Sequence, residues 1–177
     1  TQAFGGIAAQ TGLASEYFEN LGSSIALVGR ESNATEAQLV SVIREVAAGG
    51  AAAGLAIDEI VGLAGALASL QVPPERARGA IDMYFGRINK AVAEGGPQLE
   101  TWASLRGKTT QEVENMVRAG DGAELLQGFL GAIQGLDAVD MGKIFGELDT
   151  DALRLANTLQ RLGQNAELLP RYLNLAK

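Results

Sequence analysis

The sequence predicts an all-α protein. Three observations carry this. Apolar residues recur at spacings of three and four along nearly the whole chain, capping signals precede several of those stripes, and no stretch alternates as a half-buried strand would. About eight or nine short-to-medium helices are expected, joined by Gly, Pro and capped turns. Helical hairpins or a bundle would satisfy the pattern, and packing in a homo-oligomer is open to it.

Residues 1–29 read as an N-terminal helical segment with a poorly specified, Gly- and Ala-rich start. Its stripe runs through Leu13, Tyr17, Leu21, Ile25 and Val28, and Gly29 with Arg30-Glu31-Ser32-Asn33 should end it. Residues 30–177 read as one continuous region with no flexible linker. Thr35 and Gln38 form a capping box, in which the hydroxyl caps the first turn and the amide reaches back. The helix behind it turns Leu39, Val42, Ile43 and Val46 to one side, with Gly49-Gly50 as its expected stop. Asp58 and Glu59 suit the next N-terminus, where the helix dipole favours negative charge. Ile60 to Leu70 is apolar almost all round, the mark of a buried helix. Pro73 and Pro74 break the chain. Pro74 fits a first helical position, because its missing N–H has no intrahelical partner there.

The helix from Pro74 carries Ala77, Ile81, Tyr84, Phe85, Ile88 and Val92, and Gly95-Gly96 closes it. A shorter one follows, with Leu99, Trp102 and Ala103 inward and a stop near Gly107. Thr109 with Glu112, and Asp121 with Glu124, read as further capping boxes. Met141, Ile144, Phe145 and Leu148 mark a short helix. Asp149 should cap another through Leu153, Ala156, Leu159 and Leu162, ended by Gly163. The last begins near Ala166, with Pro170 tolerable only in its first turn.

Composition narrows function. The chain has 177 residues, 47% hydrophobic but only 5% aromatic, so its core should be mostly Leu, Ile, Val and Ala. It contains 23 Gly, roughly double the usual share of about 7%. Its net charge of −7 opposes binding to nucleic acid, and no basic cluster offsets it. With neither Cys nor His, thiol nucleophiles, imidazole bases and most zinc chemistry are excluded. No cofactor or metal is expected. The paired carboxylates Asp58/Glu59, Glu112/Glu114 and Asp149/Asp151 all fall at expected helix starts, where capping explains them better than acid–base work. The chain opens on Thr1 rather than Met and closes at Lys177 inside a helical pattern, which reads as a segment of something longer.

The informative spacings are small residues: Gly50/Gly54, Gly131/Gly135 and Gly142/Gly146. Four residues apart on a helix, such pairs share a face and let another backbone approach. Close helix association, within the chain or between copies, is the expected role. The stretch Ala47–Leu70 approaches the ~20 apolar residues that span a bilayer. Asp58 and Glu59 near its centre would each cost about 3 kcal/mol in lipid, which favours a buried helix pair.

The run Gly54-Leu55-Ala56-Ile57-Asp58-Glu59-Ile60 leads to Leu63-Ala64-Gly65-Ala66-Leu67-Ala68-Ser69-Leu70 and ends at Val72-Pro73-Pro74-Glu75. With Leu99 to Ala103, Thr109 to Val113, Leu126 to Leu130 and Leu153 to Ala176, in this order, it resembles the core region of tailed-phage tail tape measure proteins. The resemblance covers about residues 30–177. It implies a structural, non-enzymatic chain in the virion, in the lumen of the tail or at its tip, that sets tail length and assists genome ejection. It also implies partners: other copies as a trimer or hexamer, tail tube and tail tip proteins, assembly chaperones in the host cytoplasm, and the host membrane during ejection. A measuring rod should be one long helix, so the frequent turns point to a folded or tip-associated part. A membrane-active segment delivering DNA across the envelope is the alternative. It requires the purified chain to release dye from liposomes at neutral or acidic pH, and the absence of leakage at both would remove it.

Overall fold

The computed structural model describes residues 18–149 and 153–177 and, before them, Gly6. Leu13, Tyr17 and Asp151, to which the sequence assigns helical roles, lie outside these residues. Among the described residues the chain is helical with no strand, as the periodicity predicts. Ten helices are present rather than eight or nine: α1 (Phe18–Glu31), α2 (Glu36–Ala52), α3 (Ile57–Ser69), α4 (Pro74–Glu94), α5 (Pro97–Leu105), α6 (Thr110–Ala119), α7 (Gly122–Ile133), α8 (Ala138–Glu147), α9 (Leu153–Gln164) and α10 (Leu168–Ala176). Gly107 (φ +60°) and Gly120 (φ +79°) take left-handed conformations where the chain leaves α5 and α6, at breaks the sequence marks.

Helix α3 is the axis of one half. Every residue from Ile60 to Ala68 is buried, because α1, α2 and α10 pack around it. Its lack of a polar face required such enclosure. The contact with α10 is the most intimate. A Cβ on Gly62 would stand 2.7 Å from Leu173 Cα and 2.9 Å from the Tyr172 carbonyl oxygen, closer than real Cβ contacts come. Gly65, one turn on, leaves room for the Tyr172 ring. Polar clasps fix α10 against α1: Ser24 Oγ donates to the Ala176 carbonyl at 2.8 Å, and the Tyr172 hydroxyl donates to the Glu31 carbonyl at 2.9 Å.

Helix α4 ties this half to the other, touching α2 on one side and α5, α6 and α9 on the other. The few aromatics gather here. Tyr84 meets Trp102 edge-on at 5.3 Å, and Phe129 lies 5.2 Å from Tyr84 and 5.3 Å from Trp102. Edge-to-face pairs of this kind add about 0.5–1.5 kcal/mol each beyond area burial. The expected aliphatic core therefore describes the α3 half, while the α4–α5–α7 half is organised by rings. Burial pushes the Tyr84 hydroxyl far above its ordinary value, with the Arg106 guanidinium acting weakly in the opposite direction. The group stays protonated and donates to the Leu125 carbonyl at 2.9 Å.

The capping readings divide. Thr35/Gln38 and Thr109/Glu112 form complete capping boxes. Glu59 accepts the Ala56 N–H at 2.9 Å. Pro73 precedes α4 and Pro74 occupies its first turn. Asp121 makes no side-chain cap. Its N–H instead bonds to the Met116 carbonyl at 3.0 Å, closing α6 behind the left-handed Gly120. Asp149 has a left-handed φ of +56° and pairs with Arg87 at 2.7 Å, while the residues joining it to α9 lie outside those described.

Two expected stops are passed over by one or two residues: Gly49-Gly50 and Gly163 sit inside helices that continue to Ala52 and Gln164, whereas α1 ends at Glu31, within the polar run Arg30 to Asn33 expected to stop it. Their neighbours explain them. A Cβ on Gly50 would press Ile60 at 3.0 Å, and one on Gly163 would enter the Ile133 side chain at 2.6 Å. Here packing overrides a helix-propensity cost of ~1 kcal/mol. The Ala47–Leu70 stretch is divided between α2 and α3 by the turn at residues 53–56. No helix among the described residues is long and apolar enough to cross a membrane.

Two predictions follow from this packing. Gly62→Ala should lower stability by up to about 2 kcal/mol in urea unfolding, since overpacking costs ~1–3 kcal/mol against a helix-propensity gain of ~1. Gly142→Ala, at an open position on α8, should raise it by about 0.5–1 kcal/mol. The second concerns Glu112, whose carboxylate accepts the Thr109 N–H and is held below the ordinary glutamate range by that bond. A depressed folded-state pKa gives stability that is present above the unfolded value and lost as pH falls through the folded one. Glu112→Gln should therefore flatten the decline of Tm in a titration from neutral pH to about pH 2.

Candidate functional site

The six glycines singled out by spacing do not behave alike. Gly50 lies in α2, but Gly54 lies beyond its end at φ +83°. The pair therefore does not share a helix face. Gly54 instead lets the turn after α2 touch the end of α6: a Cβ there would stand 2.9 Å from the Gly120 carbonyl carbon. Gly122 completes this junction, since a Cβ on it would come within 2.6 Å of the Ala53 carbonyl oxygen. Gly131 and Gly135 are separated in the same way. Gly131 is in α7, while Gly135 turns the chain at φ +80° after that helix has ended. The helical spacing argument fails for both pairs because a left-handed glycine lies outside the helix.

Gly142 and Gly146 do share a face, both within α8 and both with open space where a Cβ would be. With Ala138 they form a small-residue ridge at four-residue spacing. Beside it stands Val139, 66% exposed and the one large exposed hydrophobic among the described residues. The ridge borders a groove of about 200 Å³ between α8 and α9, floored by Met141, Phe145 and Ala156 with Asn157 and Gln160 at its edge. The adjoining side of α8 is anchored by Met141 and Phe145, with Leu148 just beyond its end, all buried. Ala138, Val139, Gly142 and Gly146 are all exposed along the ridge face.

The closest glycine contacts escaped the spacing argument. Gly62 and Gly65 are three residues apart in a helix apolar all round, where no polar face marks which side meets a neighbour. Gly128 is likewise unannounced: the space of its missing Cβ is filled by the Arg106 guanidinium. The signal present in the sequence was Gly within a helix interior, where it is unfavourable without a packing reason.

The carboxylates are dispersed. Glu59 and Glu112 cap helices, Glu114 pairs with Arg118 at 2.8 Å and Asp140 with Lys143 at 3.2 Å. Among the described residues no group of three acidic side chains could hold a metal ion.

Comparison with known proteins places the chain in a family. A family model described as phage-related minor tail protein matches residues 1–149. No curated protein and no solved structure matches. The match covers α1 to α8, including the α3 axis, the aromatic cluster and the α8 ridge, and on it the chain belongs to the phage-related minor tail protein family.

Proposed function

We propose that this chain is a folded, non-enzymatic segment of a tail tape measure protein, which sets tail length during assembly and assists genome ejection. Membership of a phage minor tail family is the observation that carries the reading. The ordered runs from Gly54 to Glu75 and from Leu99 to Val113 lie within the matched residues and support the finer assignment. The compact helix packing favours a terminal or tip-associated part over the extended ruler. On this reading the segment resides in the virion tail lumen or at its tip, after assembly in the host cytoplasm. Its partners are other copies in a trimer or hexamer, tube and tip proteins and assembly chaperones. The α8 ridge of Ala138, Gly142 and Gly146 is the surface offered to such neighbours.

Phage genetics tests this directly. Deletions in the long helical stretches of the parent chain should shorten tails by ~1.5 Å per residue. Deleting residues 30–177 should instead abolish normal tails or infectivity, read by electron microscopy and plaque counts. Tails of unchanged length in the first series would refute a tape measure role.

A further inference from the structure

Val139 is the one large hydrophobic side chain exposed among the described residues, and it stands in the first turn of α8 at 66% exposure. A single exposed apolar residue needs no explanation by itself. This one adjoins an apolar groove large enough for a valine side chain, about 200 Å³ between α8 and α9, floored by Met141, Phe145 and Ala156. Gly142 keeps the mouth of the groove clear, since nothing stands within 4 Å of where its Cβ would be. A glycine inside a helix costs ~1 kcal/mol against Ala. Here no neighbour within the chain requires it.

Helix geometry sets the knob and the hole apart. Val139 lies about 100° round α8 from Ala138, while Phe145 and Met141 lie about 20° and 60° to the other side. They therefore flank the ridge of Ala138, Gly142 and Gly146 on opposite sides. Two copies packed ridge to ridge with α8 antiparallel would set knob on knob and hole on hole. With α8 parallel, each Val139 meets its neighbour's groove. Charge agrees with a second copy as the occupant. The chain carries −7, so copies repel over most of their surface. No charged residue lines this groove, and Asn157 and Gln160 at its edge offer amide oxygens as acceptors. Lys143 stands one turn from Val139 on the same flank, exposed and paired only with Asp140 of its own helix at 3.2 Å. An uncharged, accepting rim is complementary to that flank. The clefts lined by Glu100 and Glu147, or by Glu124 and Glu167, would repel an acidic copy.

We propose that α8 and α9 form a self-association surface, in which Val139 of one copy enters the α8–α9 groove of a second copy whose α8 runs parallel to its own. Val139 is the anchor, Gly142 admits it, and Lys143 meets the amides at the rim. The inference rests on the assembly reading above and names the surface through which copies meet.

The test is self-association of the full chain, measured by analytical ultracentrifugation over a concentration series. The wild type should associate reversibly. Val139→Asp should weaken association by about tenfold or more, as loss of a buried anchor does. Gly142→Leu, which blocks the mouth of the groove, should do the same. Ala48→Asp, which adds the same charge at an exposed position of α2, should leave it unchanged. Because the chain has no Cys, single cysteines then report the geometry. Val139→Cys mixed with Asn157→Cys should form a disulfide between copies under mild oxidation, while Val139→Cys alone should not. The proposal is overturned if the wild type is monomeric at every concentration, if Val139→Asp associates as tightly as the wild type, or if no cross-link joins positions 139 and 157. It is also overturned if Val139→Cys links to itself as readily, since that is the antiparallel arrangement. A monomeric chain would remove this contact while leaving the deletion series to decide the tape measure reading.

Discussion

The approach of α10 to α3 at Gly62 is the constraint on which the rest of the fold depends. Two backbones come so close there that a single methyl group would not fit. That proximity lets α10 cover the last open side of a helix buried from Ile60 to Ala68. With α3 enclosed, α1 and α2 acquire a common surface to pack on, and α2 in turn carries α4. Ala and Gly contribute little transfer free energy individually. Their value here is geometric, because short side chains permit dense backbone packing and many dispersion contacts.

The second half solves the same problem differently. Its helices are shorter and cannot each bury a long stripe. Rings from α4, α5 and α7 interlock instead, with Phe145 of α8 stacked beyond Phe129 at 6.3 Å. Helix α4 runs through both regimes, with Ala77 and Ala80 near its start and Tyr84 and Phe85 further along. Residues 153–177 lie beyond the family match, yet α9 packs on α4 and α7, and α10 on α1 and α3. The two halves therefore share one continuous core.

A fold held this way leaves helix surfaces that the core does not consume. The α8 ridge is one such surface, apolar and shaped by absent side chains. At Gly128 of α7 the absent side chain instead makes room for the Arg106 guanidinium.

Much of this was legible in the residues. The helical period gave the fold class, and the Thr35 and Thr109 boxes and Pro74 gave helix starts, since caps and first-turn prolines act within a few residues of themselves. Burial of α3 could be read from its lack of a polar side. The glycines marked the limit. Gly54 and Gly135 satisfied a helical spacing but turn the chain, while Gly50 and Gly163 looked like stops but continue helices. A glycine's role depends on what stands where its side chain would be. That neighbour is remote in sequence: Leu173 for Gly62, Gly120 for Gly54, Arg106 for Gly128. The sequence by itself determined helix type, approximate order and the absence of imidazole and thiol chemistry. Only the tertiary structure decided which glycines are contacts, which are turns and which face solvent, because glycine has no side chain through which local sequence could declare its partner.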